Sequence, residues 1–173
     1  IYASPDPDSV RQTIRGTFPV FNYRQNNAVF YGLDASFEID ITADFTYSFK
    51  GSIVRAKDLD SDTYLPYIPS DRFNHALQWQ IDKTKDRYIR LTHAYVARQR
   101  RFEPATDYTN PPPAYHLFDI YANTTLPVGK QKLQGSLSIE SIFNALYKDY
   151  MDRFRYFTHQ PGRNITLGLT YHF

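Results

Sequence analysis

The last nine residues of the chain alternate strictly between apolar and polar side chains. A side-chain period of two predicts a β-strand that is apolar on one face and polar on the other. Threonine, glycine and histidine would occupy the polar face. The apolar face would carry Ile165, Leu167, Leu169, Tyr171 and Phe173. The pattern therefore predicts a C-terminal strand with two chemically distinct faces.

Six earlier segments show the same alternation, so the pattern predicts seven strands. The six segments cover residues 29–40, 44–53, 72–81, 88–98, 118–126 and 133–140. The faces of the fourth segment are ambiguous, because Arg90 and His93 would lie on opposite sides of it. Each segment is close to the ~9–11 residues with which a tilted strand crosses a bilayer. The pattern favours an all-β fold, an antiparallel transmembrane β-barrel, with a soluble β-sandwich as the alternative.

The links between these segments alternate in length. Short links cover residues 40–43, 82–87 and 127–132, whereas long ones cover 56–71, 99–114 and 144–162, besides a long leading segment, 1–27. Outer-membrane barrels have short periplasmic turns and long extracellular loops. Ten of the 11 prolines fall in the long segments, as expected because proline cannot donate to a central strand ladder. The alternation predicts that the last strand ends on the periplasmic side.

Composition supports a barrel in which apolar residues occupy every second position. The mean hydropathy is −0.55, and no segment approaches the ~18 consecutive apolar residues of a spanning helix. The 15 tyrosines and 13 phenylalanines suit aromatic girdles at the two membrane interfaces. Without cysteine, the chain has neither a disulfide framework nor a thiol site. Its balanced charge, +2 overall, argues against nucleic acid as a partner.

Seven is an odd number of strands. Single-chain bacterial barrels have even numbers, and an open edge in lipid would leave backbone groups without hydrogen-bond partners. No export signal is recognisable at Ile1. We therefore expect the seven strands to be part of a larger barrel, with the signal peptide outside this chain.

Three runs along the chain carry motifs. Residues 142–150 read Ile-Phe-Asn-Ala-Leu-Tyr-Lys-Asp-Tyr, and residues 161–169 read Pro-Gly-Arg-Asn-Ile-Thr-Leu-Gly-Leu. A third run, at residues 25–34, contains Gln-Asn-Asn-Ala and Gly-Leu-Asp. These runs resemble the N-L-F-N-x-x-Y segment, the PGRNFxLGLxYxF ending and the NxxxAxxxGxE strand of TonB-dependent receptors. Ser141 and Asp34 depart from the family's usual asparagine and glutamate.

The resemblance implies a 22-stranded outer-membrane barrel that is filled by a plug domain and imports scarce ligands with energy from the inner membrane. Residues 1–173 would be the C-terminal segment of that barrel, its last seven strands, not closed on its own and without the plug domain. The implied cargo is a siderophore or another metal chelate. Neither an enzyme activity nor a cofactor is implied. A passive porin, or a structural piece of a multi-chain barrel or assembly complex, is the alternative function.

The resemblance also implies the partners of such a barrel wall. They are outer-membrane lipid and lipopolysaccharide, the rest of the barrel and its plug, the inner-membrane energy-coupling protein that acts through the plug, and the barrel-assembly machinery. That machinery would recognise the apolar face of the last strand, which would also face lipid. The implied location is the outer membrane of a Gram-negative bacterium.

Arginine and tyrosine cluster in two of the predicted outer loops. Arginine forks bind carboxylates, phosphates and anionic metal chelates, and aromatic faces stack on flat ligands. Contact with lipopolysaccharide or with neighbouring loops is the alternative role. The candidate ligand-binding residues are Arg98, Arg100, Arg101, Tyr108 and Tyr115 around one loop and Arg153, Arg155 and Tyr156 in the next.

Metal sites and catalytic sites have little support in the sequence. Asp58, Asp60 and Asp62 have the spacing that opens a calcium loop, but Thr63 and Pro69 replace its glycine and glutamate. The five histidines form no close pair along the chain, so they predict no metal site. No nucleophile–histidine–carboxylate order, phosphate-binding glycine loop or carboxylate pair stands out, so an enzyme is not expected.

Overall fold

The computed structural model describes residues 2–84, 86–104, 106–129 and 131–172, which form two β-sheets. The smaller sheet is a hairpin of β1 (Tyr2–Thr13) and β2 (Gly16–Arg24). The larger sheet contains β3 (Ala28–Asp40), β4 (Phe45–Asp58), β5 (Thr63–Tyr64), β6 (Arg72–Gln80), β7 (Arg87–Val96), β8 (Tyr115–Val128), β9 (Gln131–Glu140) and β10 (Asn164–His172). A single-turn 3₁₀ helix, Arg153–Tyr156, lies between β9 and β10.

Seven strands of the larger sheet follow one path, in the order β10-β9-β8-β7-β6-β4-β3, and β5 pairs only with β4. Every pair along the path is antiparallel. These strands correspond to the seven alternating segments, so the predicted antiparallel all-β fold is confirmed. β3 and β10 form the two edges of the described sheet, which does not close on itself.

The leading segment contains strands that the alternation did not predict. Residues 1–27, in which the pattern placed no strand, contain the β1–β2 hairpin. Three prolines in these two strands and a pairing irregularity between Asp6 and Val10 interrupt the two-residue period there. Strand β4 also continues to Asp58, beyond its predicted end, and β5 pairs with this extension. Strand pairing therefore extends into segments whose sequence alternation has stopped.

The strand register joins the apolar residues of the seven strands into one surface, called here the apolar face. One row crosses the sheet through Ile39, Tyr47, Leu77, Leu91, Ile120, Ile139 and Ile165. This surface is largely uncovered; Leu169, for example, is 81% exposed. Among the described residues, only Ala56, Leu65, Val96 and Tyr150 are buried apolar side chains. An exposed apolar surface of this extent is typical of a face that contacts a membrane or another protein.

The C-terminal strand has the predicted faces. Ile165, Leu167, Leu169 and Tyr171 of β10 pair with residues of β9 on the apolar face. The fifth residue predicted for that face, Phe173, lies outside the described residues.

The register also settles the two faces of β7. His93 pairs with His75 and therefore lies on the apolar face. Arg90 lies on the opposite, polar face, where its Nη2 donates a hydrogen bond of 2.6 Å to Gln78 Oε1. The sequence was ambiguous here because a histidine occupies an apolar position, not because the alternation fails.

Short and long links lie at opposite ends of the larger sheet. Residues 41–44, 81–86 and 129–130 join strands at one end, called here the turn end. Residues 59–71, 97–114 and 141–163 join them at the other, the loop end. The predicted alternation of link lengths is confirmed. No helix in the described part of the chain has the length and apolar character needed to cross a membrane.

Two of the sequence motifs meet beside the start of β10. Asn144 has a φ of 53°, and its Oδ1 accepts a hydrogen bond of 2.9 Å from the backbone N–H of Arg163. Asparagine tolerates this left-handed backbone better than most residues. Gly162 lies directly against the same side-chain amide, with no room for a Cβ atom. The contact joins the two ends of the 141–163 loop.

Replacing Gly162 with alanine should lower the free energy of unfolding by about 1–3 kcal/mol, because the new Cβ would collide with Asn144 Oδ1. Gly135→Ala is the control, since its Cβ would meet the Thr124 side chain at an ordinary 3.4 Å. Urea unfolding of the full-length protein in lipid vesicles measures both. Equal stability of the two variants would contradict the tight contact.

Candidate functional site

A pocket of about 530 Å³ opens on the polar face at the loop end. Strands β6, β7 and β8 form one wall, and the 141–163 loop forms the other. The strands contribute Arg72, Asn74, Ala94, Val96, Tyr115 and Leu117, and the loop contributes Tyr147, Asp149, Met151, Asp152 and Gln160. A molecule in this pocket would contact the sheet and a long loop at once.

Asp149 connects the loop to the sheet. Its Oδ2 accepts hydrogen bonds from Arg72 Nη2 at 2.5 Å and from the Tyr115 hydroxyl at 2.8 Å. Its Oδ1 accepts one from the backbone N–H of Met151 at 2.8 Å. Burial acts to raise the pKa of this carboxyl, but these hydrogen bonds and the Arg72 charge together hold the pKa below its usual value. Asp149 is therefore an ionised anchor at neutral pH.

The pocket combines this ion pair with aromatic surface. The rings of Tyr115 and Tyr147 pack with their centroids 4.4 Å apart. Asn74 and Gln160 add amide groups to the lining. Such a surface suits a ligand that has both a flat or apolar part and several hydrogen-bonding groups.

A second cluster, the loop core, contains three of the predicted ligand-binding residues. Its members are Tyr67, Asp107, Tyr108, Tyr150, Arg155 and Tyr156. The Arg155 side chain is 1% exposed and forms an ion pair with Asp107. Its Nη1 donates to the Tyr150 carbonyl at 2.7 Å, and its guanidinium lies 4.8 Å from the Tyr156 ring centroid. The Tyr108 hydroxyl donates to the carbonyl of Val20 at 2.9 Å, which connects the core to the β1–β2 hairpin.

These contacts place Arg155 and Tyr156 inside the loops. Burial lowers the pKa of the Arg155 guanidinium and raises the pKa of the Tyr156 hydroxyl. A ligand arriving at the loop end would reach Arg155 only after the cluster had opened. Ligand binding by these two residues stays a prediction, whereas their packing role is visible in the fold.

Arg101 belongs to a separate ion-pair group. Its Nη2 lies 3.3 Å from Asp71 Oδ2, and Arg55 Nη1 lies 2.5 Å from Asp71 Oδ1. The hydrogen bond from Arg55 is the main reason that the pKa of Asp71 is lowered. This group joins the 97–114 loop to the end of β4.

The remaining predicted ligand-binding residues are dispersed. Arg98, Arg100 and Arg153 are exposed at the loop end. The Arg153 guanidinium lies 5.4 Å from the Tyr67 ring centroid, on the outside of the loop core. Tyr115 is the single member of the predicted set that lines the pocket.

The pocket also contains residues that the sequence did not single out as ligand-binding. Arg72 lies on the polar face, and its pairing with Asp149 across 77 positions has no signal in one sequence. Tyr147 and Asp149 belong to the run at 142–150. The resemblance of that run to a family motif is the signal that could have drawn attention to them.

The acidic residues at 58–62 form a hydrogen-bonded turn. Asp58 is buried and accepts hydrogen bonds from Asn26 Nδ2 at 2.5 Å and from the backbone N–H of Asp60 at 2.9 Å. Asp62 pairs instead with Lys57 at 2.5 Å. The carboxylates of Asp58 and Asp62 thus make contacts within the protein, and calcium binding keeps only the little support that the sequence gives it. Within the described ranges, no three histidine, cysteine, aspartate or glutamate side chains are grouped to hold a metal ion.

The chain resembles known proteins in both sequence and fold. Residues 1–145 match the family described as TonB dependent receptor-like, beta-barrel. The chain belongs to the TonB-dependent receptor family. This TonB-dependent receptor segment is part of the β-barrel, in agreement with the resemblance of its C-terminal motifs.

One solved structure with a similar fold is the copper transporter OprC. The similarity has a TM-score of 0.73 at 15% sequence identity and covers 95% of this receptor segment but 26% of the OprC chain. At this identity the likeness concerns the fold. The segment spans about a quarter of the length of OprC. No curated protein matches the chain.

Proposed function

We propose that this TonB-dependent receptor segment forms barrel wall and extracellular loops of an outer-membrane protein that imports a scarce nutrient. The nutrient would be a siderophore or another metal chelate, carried by TonB-dependent transport. The apolar face would contact lipid, and the polar face would line the barrel interior. The observation that carries this proposal is a continuous exposed apolar face opposite a polar face with a pocket at its loop end.

Aromatic pairs near both ends of the apolar face support its placement in a bilayer. Phe45 and Trp79 stack near the turn end, with ring centroids 6.1 Å apart. Phe73 and Tyr95 stack near the loop end, at 6.4 Å. Transmembrane barrels carry aromatic girdles at both membrane interfaces. The turn end would then face the periplasm and the loop end the cell exterior.

The pocket supports a role in ligand capture. It opens on the side of the sheet that would line the barrel, at the end that would face the outside. A captured ligand would pass along the polar face once a plug domain had moved. OprC is by its name a copper transporter, which fits a cargo that contains a metal.

The proposed partners follow from the surfaces of the sheet. The edges of β3 and β10 need further strands, because unpaired backbone groups are costly in lipid. The polar face would contact the plug, through which the inner-membrane energy-coupling protein acts. Lipid and lipopolysaccharide would cover the apolar face, and the assembly machinery would recognise its β10 part.

Arg72→Ala should weaken ligand binding about tenfold or more, because a hydrogen bond to a charged group contributes about 1.5–3 kcal/mol. The measurement is the uptake of radiolabelled ferric and cupric chelates, at limiting concentration, by energised cells that produce the full-length receptor. Lys83→Ala is the control, since Lys83 is an exposed cation at the turn end. If the unsubstituted receptor takes up these chelates no faster than receptor-free cells do, the proposed cargo is contradicted. Equal loss in both variants would contradict the role of the pocket.

A further inference from the structure

Three of the five histidines come together on the apolar face, although they are far apart in the sequence. His75, His93 and His116 lie on the neighbouring strands β6, β7 and β8. The ring centroids of His75 and His93 are 5.5 Å apart, and those of His93 and His116 are 5.2 Å apart. These side chains face away from the pocket and are not needed for the proposed transport.

The closest approach in this row is between His93 and His116. His93 Nε2 lies 2.9 Å from His116 Nδ1, and the two ring planes differ by 8°. The two imidazoles share one hydrogen bond, so one of the two facing nitrogens carries no proton. His75 is held differently, because its Nδ1 forms a hydrogen bond of 2.7 Å with the Tyr47 hydroxyl.

We propose that His93 and His116 together bind a divalent transition-metal ion on the outer wall of the barrel. Imidazole nitrogen is a preferred ligand of Cu²⁺, Ni²⁺ and Zn²⁺. Two nitrogens, each about 2.0–2.1 Å from one ion, lie roughly 2.9 Å apart when the angle at the ion is 90° and roughly 3.3 Å apart in a tetrahedron. The separation in the structure therefore fits a square-planar or tetragonal ion such as Cu²⁺ or Ni²⁺.

Binding needs no change in the number of protons on the two rings. The proton that is shared between His93 Nε2 and His116 Nδ1 moves to the second nitrogen of its own ring, which frees both facing lone pairs. The two nitrogens point at each other in the structure, so a rotation of each ring by roughly 45° is needed to direct both lone pairs at one ion with an angle of 90°. Water would complete the coordination, because these two imidazoles supply only two ligands.

The position of the pair lets an ion reach it and also restricts the orientation of its two rings. His116 is exposed and is the second residue of β8 at the loop end, where the proposed outer membrane boundary lies. His93 is more enclosed, and Phe118 stacks on it with a centroid distance of 4.5 Å. Tyr95 stacks on His116 at 4.7 Å. The aromatic neighbours restrict the two rings, while the exposed edge of His116 leaves a path for a hydrated ion.

The test is a Cu²⁺ titration of the full-length receptor in detergent, with electron paramagnetic resonance as the readout. His93→Gln and His116→Gln are compared with His159→Gln, which removes an exposed loop histidine outside the row. Loss of a group that merely orients a metal ligand already weakens binding about 10- to 100-fold. We therefore expect either substitution in the pair to weaken binding at least about tenfold and to remove the two-nitrogen signal.

The control variant His159→Gln should bind Cu²⁺ as the unsubstituted receptor does. Heat-modifiable electrophoretic mobility shows whether each variant is folded, and because His116 is exposed, His116→Gln provides a folded test even if His93→Gln does not. Binding in His116→Gln that equals the unsubstituted receptor would overturn the proposal. The absence of a two-nitrogen Cu²⁺ signal from the unsubstituted receptor would also overturn the proposal.

Discussion

Asp107→Ala should open the loop core, at a cost of about 3–5 kcal/mol in local stability. The substitution leaves the Arg155 guanidinium buried without its counter-charge, and an uncompensated buried charge is strongly unfavourable. Both side chains are almost fully enclosed, at 1% and 6% exposure, so water screens little of their interaction. Hydrogen exchange of the backbone amides in residues 141–163 measures the change as faster exchange.

Two variants distinguish this effect from a general loss of charge. Lys57→Ala removes a partner of an ion pair that is largely exposed, and such pairs contribute little to stability because water screens them. Hydrogen exchange of the backbone amides in residues 141–163 should be nearly unchanged in Lys57→Ala. The double substitution Asp107→Leu with Arg155→Met removes both buried charges and should recover most of the protection. Unchanged exchange in Asp107→Ala alone would show that Arg155 is not held as the structure indicates.

Leu169→Arg should lower the free energy of unfolding in lipid vesicles by about 2–4 kcal/mol, the value for a cation on the lipid face near the membrane centre. Leu169 lies on the apolar face near the middle of β10 and is 81% exposed there. Urea titration of the full-length receptor, followed by tryptophan fluorescence or electrophoretic mobility, measures the change.

Thr170→Arg is the matched control for this substitution. It introduces the same cation one residue further along β10, on the polar face opposite Gln134. In a barrel the polar face is hydrated, so Thr170→Arg should lower the free energy of unfolding much less than Leu169→Arg does. Equal tolerance of both arginines would be the behaviour of a soluble sheet and would contradict a lipid-facing role for the apolar face.

The strands were predictable because their faces differ in chemistry. In β10, each apolar residue from Ile165 to Tyr171 is followed by a polar residue or glycine, so one sequence is enough to identify both faces. The β1–β2 hairpin was not predictable in this way. Its proline residues and the irregularity after Asp6 break the period, although the backbone still pairs.

The contacts between loops were beyond the reach of one sequence. Asp107 and Arg155 are separated by 48 positions, and no local pattern distinguishes this aspartate from the others in the chain. Arg155 therefore resembled a ligand-binding arginine until its burial was visible. The same holds for His93 and His116, which become neighbours only through the register of β7 and β8.

Labelling of single cysteines in intact cells tests the central claim that this segment spans the outer membrane with its loop end outside. The segment has no cysteine of its own, and Arg100→Cys in a long loop and Lys83→Cys in a short turn are each compared with the unsubstituted full-length receptor. A membrane-impermeant maleimide should label Arg100→Cys in intact cells and Lys83→Cys only after lysis. Equal labelling of both positions in intact cells, or of neither, would contradict a strand wall that crosses the membrane in this orientation.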